Sequence, residues 1–257
     1  MILRRLTANL RAQNWTAIAI EFFIVVVGVF IGTQVANWNQ ARLEKQATAR
    51  MLVQLIPELR AELAFFENVE KYYATTRRYA DQAMAGWKDG GMSDSDFVIA
   101  AYQASQISGI GINPDSWSLT FGGEQLRNIE DPAMRRNLEV VLTSDYGPVE
   151  FLAVATPYRE QVRRVIPIEI QDQIRDQCGD RNVKSEYGVY LVVLPARCTL
   201  TIDPAQAAAS AAALRAHPEL IGELRWHLAA IATYLANAEI LAVPMQELQR
   251  ELSATSR

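Results

Sequence analysis

Between Ala17 and Ala36 the chain reads AIAIEFFIVVVGVFIGTQVA, twenty residues with one charge, Glu21, and two further polar side chains, Thr33 and Gln34. No other feature constrains the fold as strongly. Twenty helical residues rise about 30 Å, the thickness of the hydrocarbon core of a bilayer. Trp15 and Trp38 flank the run, where amphipathic rings settle at headgroup level. The segment 16–38 therefore reads as one transmembrane helix, preceded by a short basic tail (1–15) and followed by a soluble domain (39–257).

Three other readings of the run fare worse. A buried core helix fits the strictly apolar stretch from Phe22 to Gly32, but not the flanking tryptophans and basic tail. A cleaved signal peptide needs a small-x-small site; Ala36 has Gln34 two positions before it and Gly32 has Phe30. A helix lying on the membrane surface needs a polar face, and this run is apolar all round.

Orientation rests on finer points. Arg4, Arg5 and Arg11 precede the span and Arg42, Lys45 and Arg50 follow it, so the basic residues tie. The α-amino group and the cysteine pair discussed below favour a cytoplasmic N-terminus, a bacterial inner-membrane location and a periplasmic domain. Within the span, Gly28, Gly32 and Ala36 recur every four residues and make a small-residue groove that lets two helices approach. Glu21 lies seven residues before Gly28, on roughly the same face. The face Glu21, Gly28, Gly32, Ala36 is the candidate for association of two copies. The expected partners are thus the lipid bilayer, a second copy through this helix, and a protein whose identity the sequence does not give.

The segment GVFIGTQVANWNQ, together with Asn14–Trp15 and the basic tail, resembles a bacterial family of single-pass membrane proteins that has no established function. In that family a valine- and isoleucine-rich span closes on Q-x-x-N-W-N. A second stretch is similar to the same family: Trp117, Leu119, Gly122-Gly123, Leu126, Ile129, Asp131, Met134, Arg135, Leu138 and Tyr146. Phe121-Gly122-Gly123 stands where many relatives are serine-rich. The resemblance covers the anchor and about 35 residues of the domain. It implies an anchored helical domain and lends no catalytic residues.

The net charge is −4, and about −6 once Arg4, Arg5, Arg11 and Glu21 are set aside. An acidic soluble part argues against nucleic acid, which asks for a basic face. With roughly 215 residues beyond the anchor there is enough chain for a real core. The pattern predicts a mainly α fold, an antiparallel bundle of about six helices, with the membrane-proximal helix packed on the C-terminal one. A long helix runs from Gln40 to Ala85, where Leu52, Leu55, Ile56, Leu59, Leu63, Phe66 and Val69 recur at spacings of three and four. Pro57 is expected to kink it or start a new helix, and Gly86–Gly91 to end it. Ser93 to Asp96 should cap a helix reaching Gln106, with a loop over 108–113. Asp131-Pro132 should start a helix to Ser144, and Gly147-Pro148 another through Gln177 with Pro157 and Pro167 as kinks or breaks. Asp203-Pro204 and His217-Pro218 begin the last two, and Pro244 should kink or end the final one. Its stripe is Leu220, Leu224, Leu228, Ile231, Leu235 and Ala238.

The β-prone run Tyr187–Leu194 interrupts the helices as an extended or hairpin excursion near 183–202. Cys178 and Cys198 bracket it and are a candidate disulfide, which an oxidising compartment would keep.

Little points to chemistry. No nucleophile elbow, P-loop or H-E-x-x-H occurs, and two cysteines with distant histidines lack zinc-ligand spacing. No catalytic residue, cofactor or metal is expected. His227 reads as a packed or surface residue and His217 as a helix-entry residue, and Tyr72-Tyr73 with Arg77-Arg78 as a partly solvated face rather than a site for an acidic ligand or headgroup. Trp117, Phe121 and Gly122 are a candidate pocket, against a plain buried anchor under a tight turn. The favoured reading is a non-enzymatic interaction or scaffold protein of the cell envelope. A ligand-sensing domain is the alternative, and a cryptic hydrolase the least supported.

Overall fold

A computed structural model describes residues 15–88, 91–109, 117, 123–150 and 154–255. Among these residues the protein is eight helices and one two-stranded sheet, mainly α. α1 (Trp15–Lys88) is one unbroken helix of 74 residues, about 110 Å long. Its first part touches no other element: an 18-residue apolar window has none of its residues buried, and Phe22, Phe23, Ile24, Val29 and Phe30 are all exposed. The helix is long and apolar enough to cross a membrane. Burying such side chains is worth about 1.5–3 kcal/mol each, and among the described residues no other element covers them. The first buried residue of α1 is Thr48. From Trp38 to Thr48, about 15 Å of helix, the rod is unburied, and its tie to the domain there is the Lys45–Glu130 ion pair at 2.6 Å.

Beyond Thr48 the same helix becomes a wall of the bundle. Leu55, Ile56, Leu59, Leu63, Phe66 and Val69 are all buried, as their spacing predicts. They face α8 (Glu219–Thr255), which runs antiparallel: Arg60 lies near Gln249 and Arg250, whereas the Tyr73 ring meets the Tyr234 ring edge-on at 5.6 Å. α8 also has the length and composition of a membrane span. Its Leu220, Leu224, Ile231 and Ala238 are nevertheless buried in the bundle, with Leu228 and Leu235 partly so.

Neither proline breaks its helix: α1 passes through Pro57 and α8 through Pro244, so of the kink or break expected at each the break does not occur. A proline inside a helix costs about 3 kcal/mol, because it withholds an N–H from the carbonyl four residues back. Here those carbonyls belong to Val53 and Ile240, both exposed residues on the outer faces. The buried leucines and methionine beside each proline, Leu55 and Leu59 in one helix and Leu241 and Met245 in the other, hold the axis together.

α2 (Asp94–Gln103) is capped by Ser93, whose hydroxyl accepts from the Asp96 N–H, and it stops three residues short of the expected Gln106. It packs between α1 and the alanine-rich α7 (Pro204–Arg215), whose Ala207 and Ala211 allow close approach. Gly86 is required here: a Cβ would collide with the Phe97 ring, which stands edge-on to Trp87 at 5.0 Å. Of the loop expected over 108–113, Ser108 and Gly109 are non-helical and the rest lies outside the described residues.

α3 (Gly123–Arg127) is a single turn, and α4 (Pro132–Thr143) starts where Asp131-Pro132 predicted, with the Asp131 carboxylate accepting from the Ala133 N–H. The stretch 147–177 is a 3-10 turn (Gly147–Val149), α5 (Pro157–Val165) and α6 (Ile168–Cys178). Of the kinks or breaks expected at Pro157 and Pro167, the structure has breaks: Pro157 takes the first position of α5 and Pro167 precedes α6.

The extended excursion is a hairpin, β1 (Arg181–Lys184) and β2 (Tyr190–Val193), paired antiparallel with Arg181 opposite Val193 and Lys184 opposite Tyr190. Gly188 takes the left-handed conformation its turn demands, φ 84°. β2 lies against α1.

Candidate functional site

The sequence offers an anchor face, a tryptophan and a cysteine pair; the fold adds a polar cluster that the sequence conceals. Gly28, Gly32 and Ala36 are exposed on α1, and a Cβ built at Gly28 or Gly32 meets nothing within 4 Å. Packing within one chain therefore gives no reason for glycine at either position, where each costs roughly 0.5–1 kcal/mol against alanine. Glu21, on the same helix, is half-buried, and its Oε2 has no hydrogen-bond partner.

Trp117 is 3% exposed, and its indole N–H donates to Glu58 Oε2 at 2.8 Å. That is the geometry of an enclosed ring with its polar edge satisfied. Phe121 and Gly122, named with it as a candidate pocket, lie outside the described residues.

Cys178 closes α6 and is joined to Cys198 in a disulfide, the Cα atoms 5.3 Å apart. The bridge closes the hairpin onto the end of α6. Around it, Gln103 Nε2 donates to the Cys178 carbonyl at 2.6 Å, Asn68 Nδ2 to the Val192 carbonyl at 2.8 Å and the Tyr79 hydroxyl to the Pro195 carbonyl at 2.9 Å. The excursion is thus held at both ends and in the middle.

Between α1, α2, α5 and α8 sits the polar cluster. Tyr72 and Tyr73, expected on a partly solvated face, are 2% and 1% exposed and point inward. Only Arg77 and Arg78 of that group remain on the surface side, bonded to Asp81 and Thr75. The Tyr72 hydroxyl donates to Asp180 Oδ1 at 2.9 Å, and the Tyr73 hydroxyl to the Ser108 carbonyl at 2.6 Å. Burial pushes both phenols far above the usual tyrosine range, and the Asp180 carboxylate adds to the shift of Tyr72. The Asp180 carboxyl is itself raised by burial, against the pull of Tyr72, Arg159 and Arg163.

α5 contributes the positive charge. Arg159 Nη1 donates to the Ser105 carbonyl at 2.7 Å, and Arg163 reaches the Tyr102 hydroxyl at 3.0 Å and Gln106 Oε1 at 2.9 Å while stacking over the Tyr102 ring. Burial and the neighbouring Arg163 lower the pKa of Arg159. On the other side of α5 His227 is fully buried, its Nδ1 2.7 Å from Thr156 Oγ1 and its ring stacked on Tyr158. Thr156 is the N-cap residue of α5, yet its hydroxyl makes no capping bond because it is engaged with the histidine.

The sequence carried one signal of this cluster. Arg159 and Arg163 lie four apart on a short helix, a like-charged pair that destabilises an isolated helix, with no acidic residue four positions from either.

No family model, no curated protein and no solved structure matches the chain.

Proposed function

We propose that this protein is a membrane-anchored, non-enzymatic interaction or scaffold protein of the bacterial cell envelope. Its helical domain stands in the periplasm on a single inner-membrane span with a cytoplasmic N-terminus. One observation carries the reading: α1 is a single helix whose N-terminal apolar window has no buried residue and whose second half is a wall of the domain. An anchor and a domain that share one helix move as one body, so a partner bound to the domain is held at a fixed height above the membrane. The disulfide supports the periplasmic side, because such bonds persist in oxidising compartments. The resemblance of the anchor to a bacterial family of single-pass membrane proteins agrees with a membrane anchor.

Alkaline phosphatase, which needs disulfides to be active, fused after Arg257 is expected to be active in cells. An inactive phosphatase paired with a fluorescent cytoplasmic reporter at the same junction reverses the orientation.

The open face at Gly28, Gly32 and Ala36 supports pairing of two copies through their anchors. Gly28→Ile with Gly32→Ile is expected to weaken association by about tenfold or more, a loss of roughly 1.4 kcal/mol or greater. A two-colour energy-transfer measurement in lipid vesicles reads this directly, and unchanged transfer removes the pairing. The ligand-sensing alternative centred on Trp117 has less support, because that ring is enclosed and its N–H occupied.

A further inference from the structure

We propose that Arg159 and Arg163 form a binding site for a small soluble oxyanion, a carboxylate or phosphate group, at the junction of α2 and α5. The first ground is unbalanced charge. Neither guanidinium makes an ion pair with a described carboxylate, although both are largely withdrawn from solvent. Asp180, a described acid whose charge acts on both arginines, gives its Oδ1 to Tyr72. Arg175, which also reaches the Tyr102 hydroxyl, is already paired with Asp172.

The second ground is unused donors. Among the described residues Arg159 spends only Nη1, on the Ser105 carbonyl and Gln106 Oε1. Arg163 spends one bond from each terminal nitrogen, and its enclosed Nε is out of a ligand's reach. The donors that remain open are those of the part-buried Arg159 and the second hydrogens of the Arg163 terminal nitrogens, where an oxyanion makes charge-assisted bonds in place of water.

The third ground is fixed geometry. Stacking on Tyr102 and the bonds to Tyr102 and Gln106, 0% and 5% exposed, hold the Arg163 plane in one orientation. Two like charges four residues apart repel, so the arrangement gains most when a negative group sits between them. The competing account makes both arginines caps for the carbonyls at the end of α2, where cations are favoured. That explains the Arg159–Ser105 bond and leaves the unused donors without a purpose.

The test is thermal melting of the full-length chain in neutral detergent, with inorganic phosphate and with succinate, each against sodium chloride at the same ionic strength. The expected result is a saturable rise in Tm with at least one of the two, about 5–10 °C at a hundredfold excess over Kd. Arg163→Gln is expected to abolish the rise while keeping its helical circular dichroism. If that variant does not melt cooperatively, Arg163→Lys decides: it keeps the charge and loses the planar fork, and binding about tenfold weaker than wild type is expected. A rise no larger than that with chloride, or an equal rise in the variant that folds, overturns the site and leaves the arginines as helix caps.

Discussion

Lowering the pH from 7 to 4 is expected to remove about 3 kcal/mol of folding stability through a single residue, His227. The ring is fully buried, with Thr156 on Nδ1 and Tyr158 against its face. Burial, reinforced by Arg159, holds its pKa down to about 4, and the Ala104 carbonyl opposes the shift without reversing it. An unfolded chain takes up a proton on this ring near pH 6.5, whereas the folded chain takes it up only near pH 4. The contribution is therefore complete above about pH 6.5 and lost progressively as the pH falls to about 4. The lowered carboxyls of Glu130 and Glu219, paired with Lys45 and His217, begin to lose their contribution only at the acid end of this window, near their ordinary value of 4.5. Urea unfolding across the range measures the effect. His227→Asn is expected to be less stable at pH 7 by about 1–2 kcal/mol and nearly flat from pH 6.5 to 4.5. An equally steep loss in the variant assigns the acid sensitivity elsewhere.

Opening the Cys178–Cys198 bond has the second large effect. The cysteines are 20 residues apart, and the chain-entropy model gives a loss of about 3 kcal/mol for a loop of that length. For a domain of this size that corresponds to a fall in Tm of roughly 6–12 °C. Buried Leu194, Leu200 and Ile202 and the bonds from Asn68 and Tyr79 hold the excursion independently. Reduction should thus loosen the hairpin before the bundle. Melting the Cys178→Ser, Cys198→Ser double variant beside the wild type, with and without reductant, checks this. A Tm that is unchanged in both removes the stabilising role of the bridge.

The parts of the fold that were legible in the sequence are those set by local chemistry. Asp131 before Pro132 and Asp203 before Pro204 begin helices because an aspartate oxygen meets the first free N–H groups and proline needs none. The stripe on α1 from Leu55 to Val69 is buried because its spacing follows one helical face. What was not legible depends on tertiary context. Pro57 and Pro244 carry the strongest local signals to stop a helix, and packing beside them outweighs those signals. Tyr72 and Tyr73 sit among charged residues on paper and become interior once α2, α8 and the Asp180 turn close over them. The link between His227 and Thr156 joins residues 71 apart in sequence, and no periodicity announces it. Arg159 and Arg163 stand four apart in the sequence, but what they face emerges only when neighbouring elements are in place.

All of the functional reading rests on α1 as a lipid-spanning rod that remains attached to its domain. Alkaline carbonate extraction of membranes from cells making the full-length chain tests it most directly. The protein is expected to stay in the pellet and to be released only by detergent, with the domain still attached. Recovery of the intact chain in the carbonate supernatant contradicts the account.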